Sequence, residues 1–232
     1  MSKLFYICEK LSNINIGNNI NTKKVENMEN LFEQCKKIEN IGLKHLITVQ
    51  ANNMSSMFSN CKTIKELDLS SFDTRYVEEI NSMFDSCNKF TIINVWYFNV
   101  GKVKYMKNLF YYCNALTSLD LTIFNTEKVI TMNSMLRECD KLNYLDISSF
   151  KTPELIDTWS MFWNRKKLES LDFKKFDVSK VTVMSQMFAS CESLPSLELS
   201  PFKTKKALDM RYLFEYLQKF KLFRYITFFV QY

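Results

Sequence analysis

Residues 67–87 read LDLSSFDTRYVEEINSMFDSC, and this stretch decides the fold because its order of residue types returns every 26 residues. Cys35, Cys61, Cys87, Cys113 and Cys139 lie on one grid of that period; position 165 is Arg, and Cys191 resumes the grid. Apolar rows repeat with it. Leu67, Ile93, Leu119, Leu145, Leu171 and Leu197 form one, and Phe72, Phe98, Phe124, Phe150, Phe176 and Phe202 form another five residues on. A third row, Phe84, Phe110, Leu136, Phe162, Phe188 and Phe214, follows the methionines near the end of each unit. A fixed period in this range is the mark of a solenoid, in which each unit is a coil that buries its apolar edge only against its neighbours.

Within a unit, L-x-x-L-D-L ends in alternation of period two, which predicts a short strand with leucines inward and the acid outward. The segment M-x-x-M-F-x-x-C, as in 184–191, places apolar residues at i, i+3, i+4 and i+7, which predicts one helical face. Between them S-x-F-[DN]-T turns the chain through side-chain capping. The expected fold is therefore an α/β solenoid over residues 1–232: a right-handed leucine-rich-repeat stack with one short strand and one short helix per coil. Residues 1–16 are expected to be an N-terminal partial repeat. Residues 217–232, whose Phe220, Phe223, Tyr225 and Phe228 continue the grid, are expected to be a C-terminal capping strand.

Composition excludes several chemistries. The three glycines, Gly17, Gly42 and Gly101, stand apart, so glycine-rich phosphate-binding loops are absent. The single His45 has no partners for a His-rich metal site or a Ser/His/Asp triad. No cofactor and no metal are expected, and the protein is expected not to be an enzyme. No run of 18 apolar residues predicts a transmembrane helix. The apolar run from Leu4 to Cys8 is too short for the core of a signal peptide, so no export signal is visible. The net charge of +6 is mixed in sign along the chain, and nucleic acid is not the expected partner. The cysteines continue an apolar face and are expected to be buried free thiols rather than disulfides or metal ligands.

Two sets of side chains are candidates for binding. Asp68, Asn94, Asp120, Asp146, Asp172 and Glu198 form a column at the strand centres. Neighbouring charges there would repel by roughly 0.9 kcal/mol in water at about 4.8 Å. Compensation has three possible sources: hydrogen bonds to turn residues such as Ser70, Thr122 and Ser148, a cationic partner, or a bound cation. The second set is aromatic. Trp96, Tyr97, Tyr105, Tyr111, Tyr112, Tyr144, Trp159 and Trp163 replace polar residues of the best-matching units, and Trp and Tyr favour interface centres. From these the expected partner-binding residues are Asp68, Asp120, Asp146, Asp172, Trp96, Tyr144, Trp159 and Trp163.

The block L-D-L-S-S-F-D-T at 67–74, followed by Val77 and by N-S-M-F-D-S-C at 81–87, resembles the 26-residue repeat of the BspA-like leucine-rich-repeat family of bacterial surface proteins, which has mycoplasma lipoprotein and protist members. The resemblance runs from about Phe5 to Phe228. It implies a cell-surface or secreted module that binds host or matrix proteins, with no catalytic residues to carry over. The functional expectation is thus a non-enzymatic interaction module binding a protein or glycan partner through one face of the solenoid. The alternative is a structural spacer or self-assembling rod without a distinct ligand site, and a hydrolase built on the acid column is a remote third.

Overall fold

The computed structural model describes residues 1–219, and the expected capping strand lies almost wholly outside them. The chain forms a parallel solenoid whose coils are joined along two ladders. The first ladder uses the L-D-L segments. β1 (Asn13–Asn15) pairs in parallel with β2 (Asn40–Gly42), and β3 (Ser118–Asp120) with β4 (Tyr144–Asp146). A single bridge from Ile92 to Ser118 carries the second sheet one coil further. Among the described residues only these four coils have a strand of regular length. In β2 glycine stands in the acid column, where a Cβ would meet the side-chain oxygen of Asn15 in the coil before it.

The second ladder corrects the expectation of a helix in each coil. No helix occurs among the described residues, so none is long and apolar enough to cross a membrane. The M-x-x-M-F-x-x-C segment is instead a run of tight turns. Two residues per coil, four apart, hold φ between 51° and 63°, as at Ser56 and Asn60 or Ser160 and Asn164, and this left-handed conformation stops a helix. Alternate amides then point out of the coil. Met54, Ser56, Phe58 and Asn60 donate to the carbonyls of Glu79, Asn81, Met83 and Asp85, at 2.7–3.0 Å, while Met57, Ser59 and Cys61 close local three-residue turns. A left-handed non-glycine residue costs about 1 kcal/mol or more. Each one here lies beside amides that bond to the next coil, and that bonding holds it. A neighbouring column of parallel bridges runs from Asn27 through Asn53, Glu79, Tyr105, Thr131, Asp157 and Val183 to Asp209.

The repeating residue types have specific inter-coil duties. In the F-[DN]-T turn the carboxylate or amide caps locally, with Asp73 Oδ1 accepting from the Arg75 amide. The buried threonine reaches the next coil: Thr48 Oγ1 donates to the Asp73 carbonyl and accepts from the Asp73 amide, and Thr152 does the same with Asp177. Phenylalanines stack ring on ring through the core. Phe5, Phe32, Phe58, Phe84 and Phe110 follow one another at centroid spacings of 5.3–5.9 Å, with planes within 8° of parallel. Leu136 interrupts the column before Phe162, Phe188 and Phe214 resume it.

The cysteines among the described residues are free, and all but Cys8 are buried. Their recurrence has a polar reason as well as an apolar one. Each buried thiol donates to a phenylalanine carbonyl of the preceding coil, Cys61 to Phe32, Cys87 to Phe58, Cys113 to Phe84 and Cys191 to Phe162, at 3.1–3.2 Å. A serine would bond the carbonyl but waste the apolar surroundings; a thiol serves both. Burial pushes Cys35 and Cys139 up to about 11 and Cys191 up to about 12, so thiolate is negligible at neutral pH. An aromatic disulfide reagent is therefore expected to titrate one thiol, Cys8, in the native protein and all seven after unfolding. Fast reaction of several thiols under native conditions would contradict this burial.

Candidate functional site

The candidate residues separate onto the two ladders. Asp68, Asp120, Asp146, Asp172, Trp96 and Tyr144 belong to the strand segments and the turns that follow them. Trp159 and Trp163 belong to the turn ladder.

On the strand ladder, parallel register brings Ile92, Ser118 and Tyr144 side by side. Ile92 is 64% exposed and Tyr144 53%, with the small Ser118 between them, so two large side chains flank a notch. Trp96 and Tyr97 extend the apolar surface at the following turn, and Ile123 occupies the position of Tyr97 one coil on. Beside Tyr144 lies a shallow groove of about 370 Å³ lined by Asp146, Ser148, Ser170 and Asp172. Large exposed apolar side chains grouped in neighbouring coils call for an explanation that isolated ones do not.

The acid column runs along the same face. Every member caps its own turn: Asp68 accepts from the Ser70 amide, Asp120 from the Thr122 amide and hydroxyl, Asp146 from the Ser148 amide and Asp172 from the Lys174 amide, all within 2.9 Å. Asn94 and Glu198 do the same for Trp96 and Ser200. Hydrogen bonds from Ser70 and Thr122 hold Asp68 and Asp120 below the usual carboxylate value. Turn capping thus supplies the compensation that repeating a charge requires, and it does so through one oxygen of each carboxylate. The notch therefore borders the strip of acidic side chains. Among the described residues no group of three or more metal-ligating side chains exists.

The repeat also places lysines along one edge, at Lys102, Lys104, Lys128, Lys180 and Lys206, and some of them are engaged between coils. Lys104 pairs with Glu78 at 2.6 Å and Lys180 with Glu154 at 2.8 Å, and Lys102 sits 4.3 Å above the Tyr76 ring.

On the turn ladder, Trp159 and Trp163 converge on a residue that the sequence reading passed over. Arg137 lies 26 residues after Tyr111 and 26 before Trp163, so the stacking of coils places its guanidinium between their rings. The central carbon lies 4.2 Å from the Trp163 centroid, 5.4 Å from Trp159 and 6.0 Å from Tyr111. The guanidinium's only hydrogen bond among the described residues is a long one, 3.5 Å from Nη1 to Ser160 Oγ, and it has no ion pair there. The period that revealed the fold also carried the signal for this residue: one column read Tyr, Arg, Trp in consecutive units.

The sequence matches the family described as "Mycoplasma protein of unknown function, DUF285" over residues 1–118, 91–192 and 146–224. No curated protein matches it. Among solved structures it is similar to a leucine-rich-repeat protein of T. pallidum, at 16% identity and a TM-score of 0.46, covering 84% of this chain and 70% of that one. It is also similar to leucine-rich-repeat proteins of Bacteroides ovatus, at 17% identity and 0.48, covering 91% of this chain and 63% of that one, and of Eubacterium ventriosum, at 12% and 0.46, covering 83% and 60%. The chain thus spans 60–70% of the length of these structures.

Proposed function

Because the chain belongs to this mycoplasma family, whose description assigns no activity, we propose a function from its own geometry: a non-enzymatic recognition module that holds a protein partner on its strand face. One observation carries the reading. Ile92, Ser118 and Tyr144 form an exposed apolar notch in consecutive coils, with Trp96 and Tyr97 at its margin, directly against the column Asp120, Asp146 and Asp172. An apolar centre with a charged border is the anatomy of a protein interface, and this border suits a segment combining apolar and cationic side chains. Asp68 belongs to the same column further along and extends the acidic strip.

Panning a random peptide library on the immobilised protein tests the proposal. Peptides that join lysine or arginine to large apolar residues are expected to be enriched. Their affinity is expected to fall about ten-fold or more in the double variant Ile92→Ser, Tyr144→Ser. Both positions are exposed, so stability is expected to stay within about 0.5 kcal/mol. Failure to select any peptide, or equal binding by the variant, would favour the rod-like spacer, which the continuous bridge column from Asn27 to Asp209 also allows.

A further inference from the structure

The Arg137 cluster lies outside the strand face, and the mode of binding proposed above leaves it without a role. We infer that it is a second docking site, which takes a carboxylate side chain from an acidic segment of a protein partner. The inference stands on charge and shape. A guanidinium has two flat faces and an edge of donors. Here Trp163 covers one face at 4.2 Å, and Trp159 and Tyr111 complete the surround. The edge is left without an acid: among the described residues Arg137 makes no ion pair, although three carboxyl-bearing residues occur close by in sequence or in the next coil. Those acids are engaged elsewhere. Glu138 and Asp140 accept from the Asn164 side chain, and Asp157 accepts from the Asn133 side chain and the Trp159 amide.

The arrangement is costly if it has no partner. Ring contacts leave a cation's in-plane donors unused, and Arg137 Nε is buried with no acceptor. Nε stays out of a partner's reach, and an incoming carboxylate in the plane of the guanidinium takes two-point hydrogen bonds from the outer nitrogens Nη1 and Nη2 while the indoles keep water away from it. The side chains involved are Arg, Trp and Tyr, the residue types that dominate binding energy at protein interfaces. The site is a half-buried surface cluster and not an enclosed cavity, so it fits a side chain borne on a partner's surface better than a free small molecule. Exposed Tyr112, beside Tyr111 with ring centroids 6.0 Å apart, extends the contact area.

The test uses acetylated hexaglutamate as probe and tryptophan fluorescence as readout, since two of the three tryptophans lie in the cluster. The native protein is expected to bind the probe with a fluorescence change that weakens as salt is raised. Arg137→Gln is expected to weaken binding about ten-fold or more, and Arg137→Lys, which keeps the charge and loses the planar fork, to weaken it less. The control Lys102→Gln, Lys104→Gln removes two lysines of the basic edge and is expected to leave binding unchanged. The Ile92→Ser, Tyr144→Ser variant is expected to bind normally, which keeps failure here distinct from failure of the strand-face proposal. Unfolded variants are recognised by circular dichroism, and Arg137→Lys then carries the comparison. No binding by the native protein, equal binding by Arg137→Gln, or loss with the lysine control would overturn the inference. So would a concentration-dependent dimer of the native chain that Arg137→Gln abolishes, because the occupant would then be a second copy.

Discussion

Replacing Arg165 by methionine is expected to raise stability by about 2 kcal/mol, despite the loss of a hydrogen bond. Arg165 stands where the grid calls for cysteine, and its side chain is fully buried. Nη2 donates to the Leu142 carbonyl at 3.0 Å, but Nε and Nη1 have no partner. The groups beside it are the thiols of Cys139 and Cys191, and burial keeps both protonated, at about 11 and about 12. Burial likewise pulls the guanidinium below its usual value. Asp140 acts on it across space, but Arg165 makes no ion pair among the described residues; a buried charge left so costs several kcal/mol, and apolar replacements of similar volume gain about 1–4 kcal/mol. Methionine fills the volume of the aliphatic stem and forgoes about 1 kcal/mol for the Leu142 bond. The net gain corresponds to a rise in Tm of roughly 4–8 °C for a chain of this size. Arg165→Cys should gain less. The residue 29 positions earlier is Leu136 where the other coils have phenylalanine, so the smaller side chain leaves a void. Adding Leu136→Phe restores both columns and is expected to recover the difference. Thermal and urea unfolding of the three variants decide the matter; an unchanged or lower midpoint for Arg165→Met would mean that the charge is compensated after all.

The same position shows which parts of the structure were legible in advance. The period, the rows and the inward leucines could be read because each depends on burial, and burial repeats with the coil. The acid column's turn caps were one of three open explanations, and Ser70, Thr122 and Ser148 supply them. The turn ladder was not legible. Apolar residues at i, i+3, i+4 and i+7 fit a helical face, and they fit equally a chain in which every fourth residue turns left-handed. What separates the two is where the backbone amides go, and Ser56 or Ser82 at a left-handed position gives little sign of it. A helix would satisfy its amides internally; here alternate amides tie one coil to the next, as stacking rewards. The thiol-to-carbonyl bonds were hidden for a similar reason, since cysteine in an apolar row already has an apolar explanation. Arg137 was missed through attention to aromatic residues alone, although reading down its column would have placed it between Tyr111 and Trp163.

Cutting the ring column at Phe84 is expected to produce the largest loss, about 4 kcal/mol for Phe84→Ala against about 1 kcal/mol for Phe84→Leu. Phe84 is fully buried and stacks between Phe58 at 5.9 Å and Phe110 at 5.6 Å, with Phe90 edge-on at 6.2 Å and Phe98 at 6.4 Å. Alanine removes the ring from all four neighbours at once. Its cavity cannot collapse readily, because the coils above and below are held at their spacing by the amide bonds of Phe84 to Leu109 and Phe58 to Met83. Leucine is the milder change because the chain already uses it at Leu136, buried in the same column. The two substitutions should also differ in cooperativity. In a solenoid each coil is stabilised by its neighbours, so a deep defect in the middle weakens the coupling of the coils on either side. Phe84→Ala is therefore expected to lower the urea midpoint and also flatten the transition, as the two parts of the stack begin to unfold separately, whereas Phe84→Leu lowers the midpoint with its slope unchanged. Equal costs for alanine and leucine would show that the ring column is not what couples the coils, and would shift that role to the amide ladder and the buried threonines.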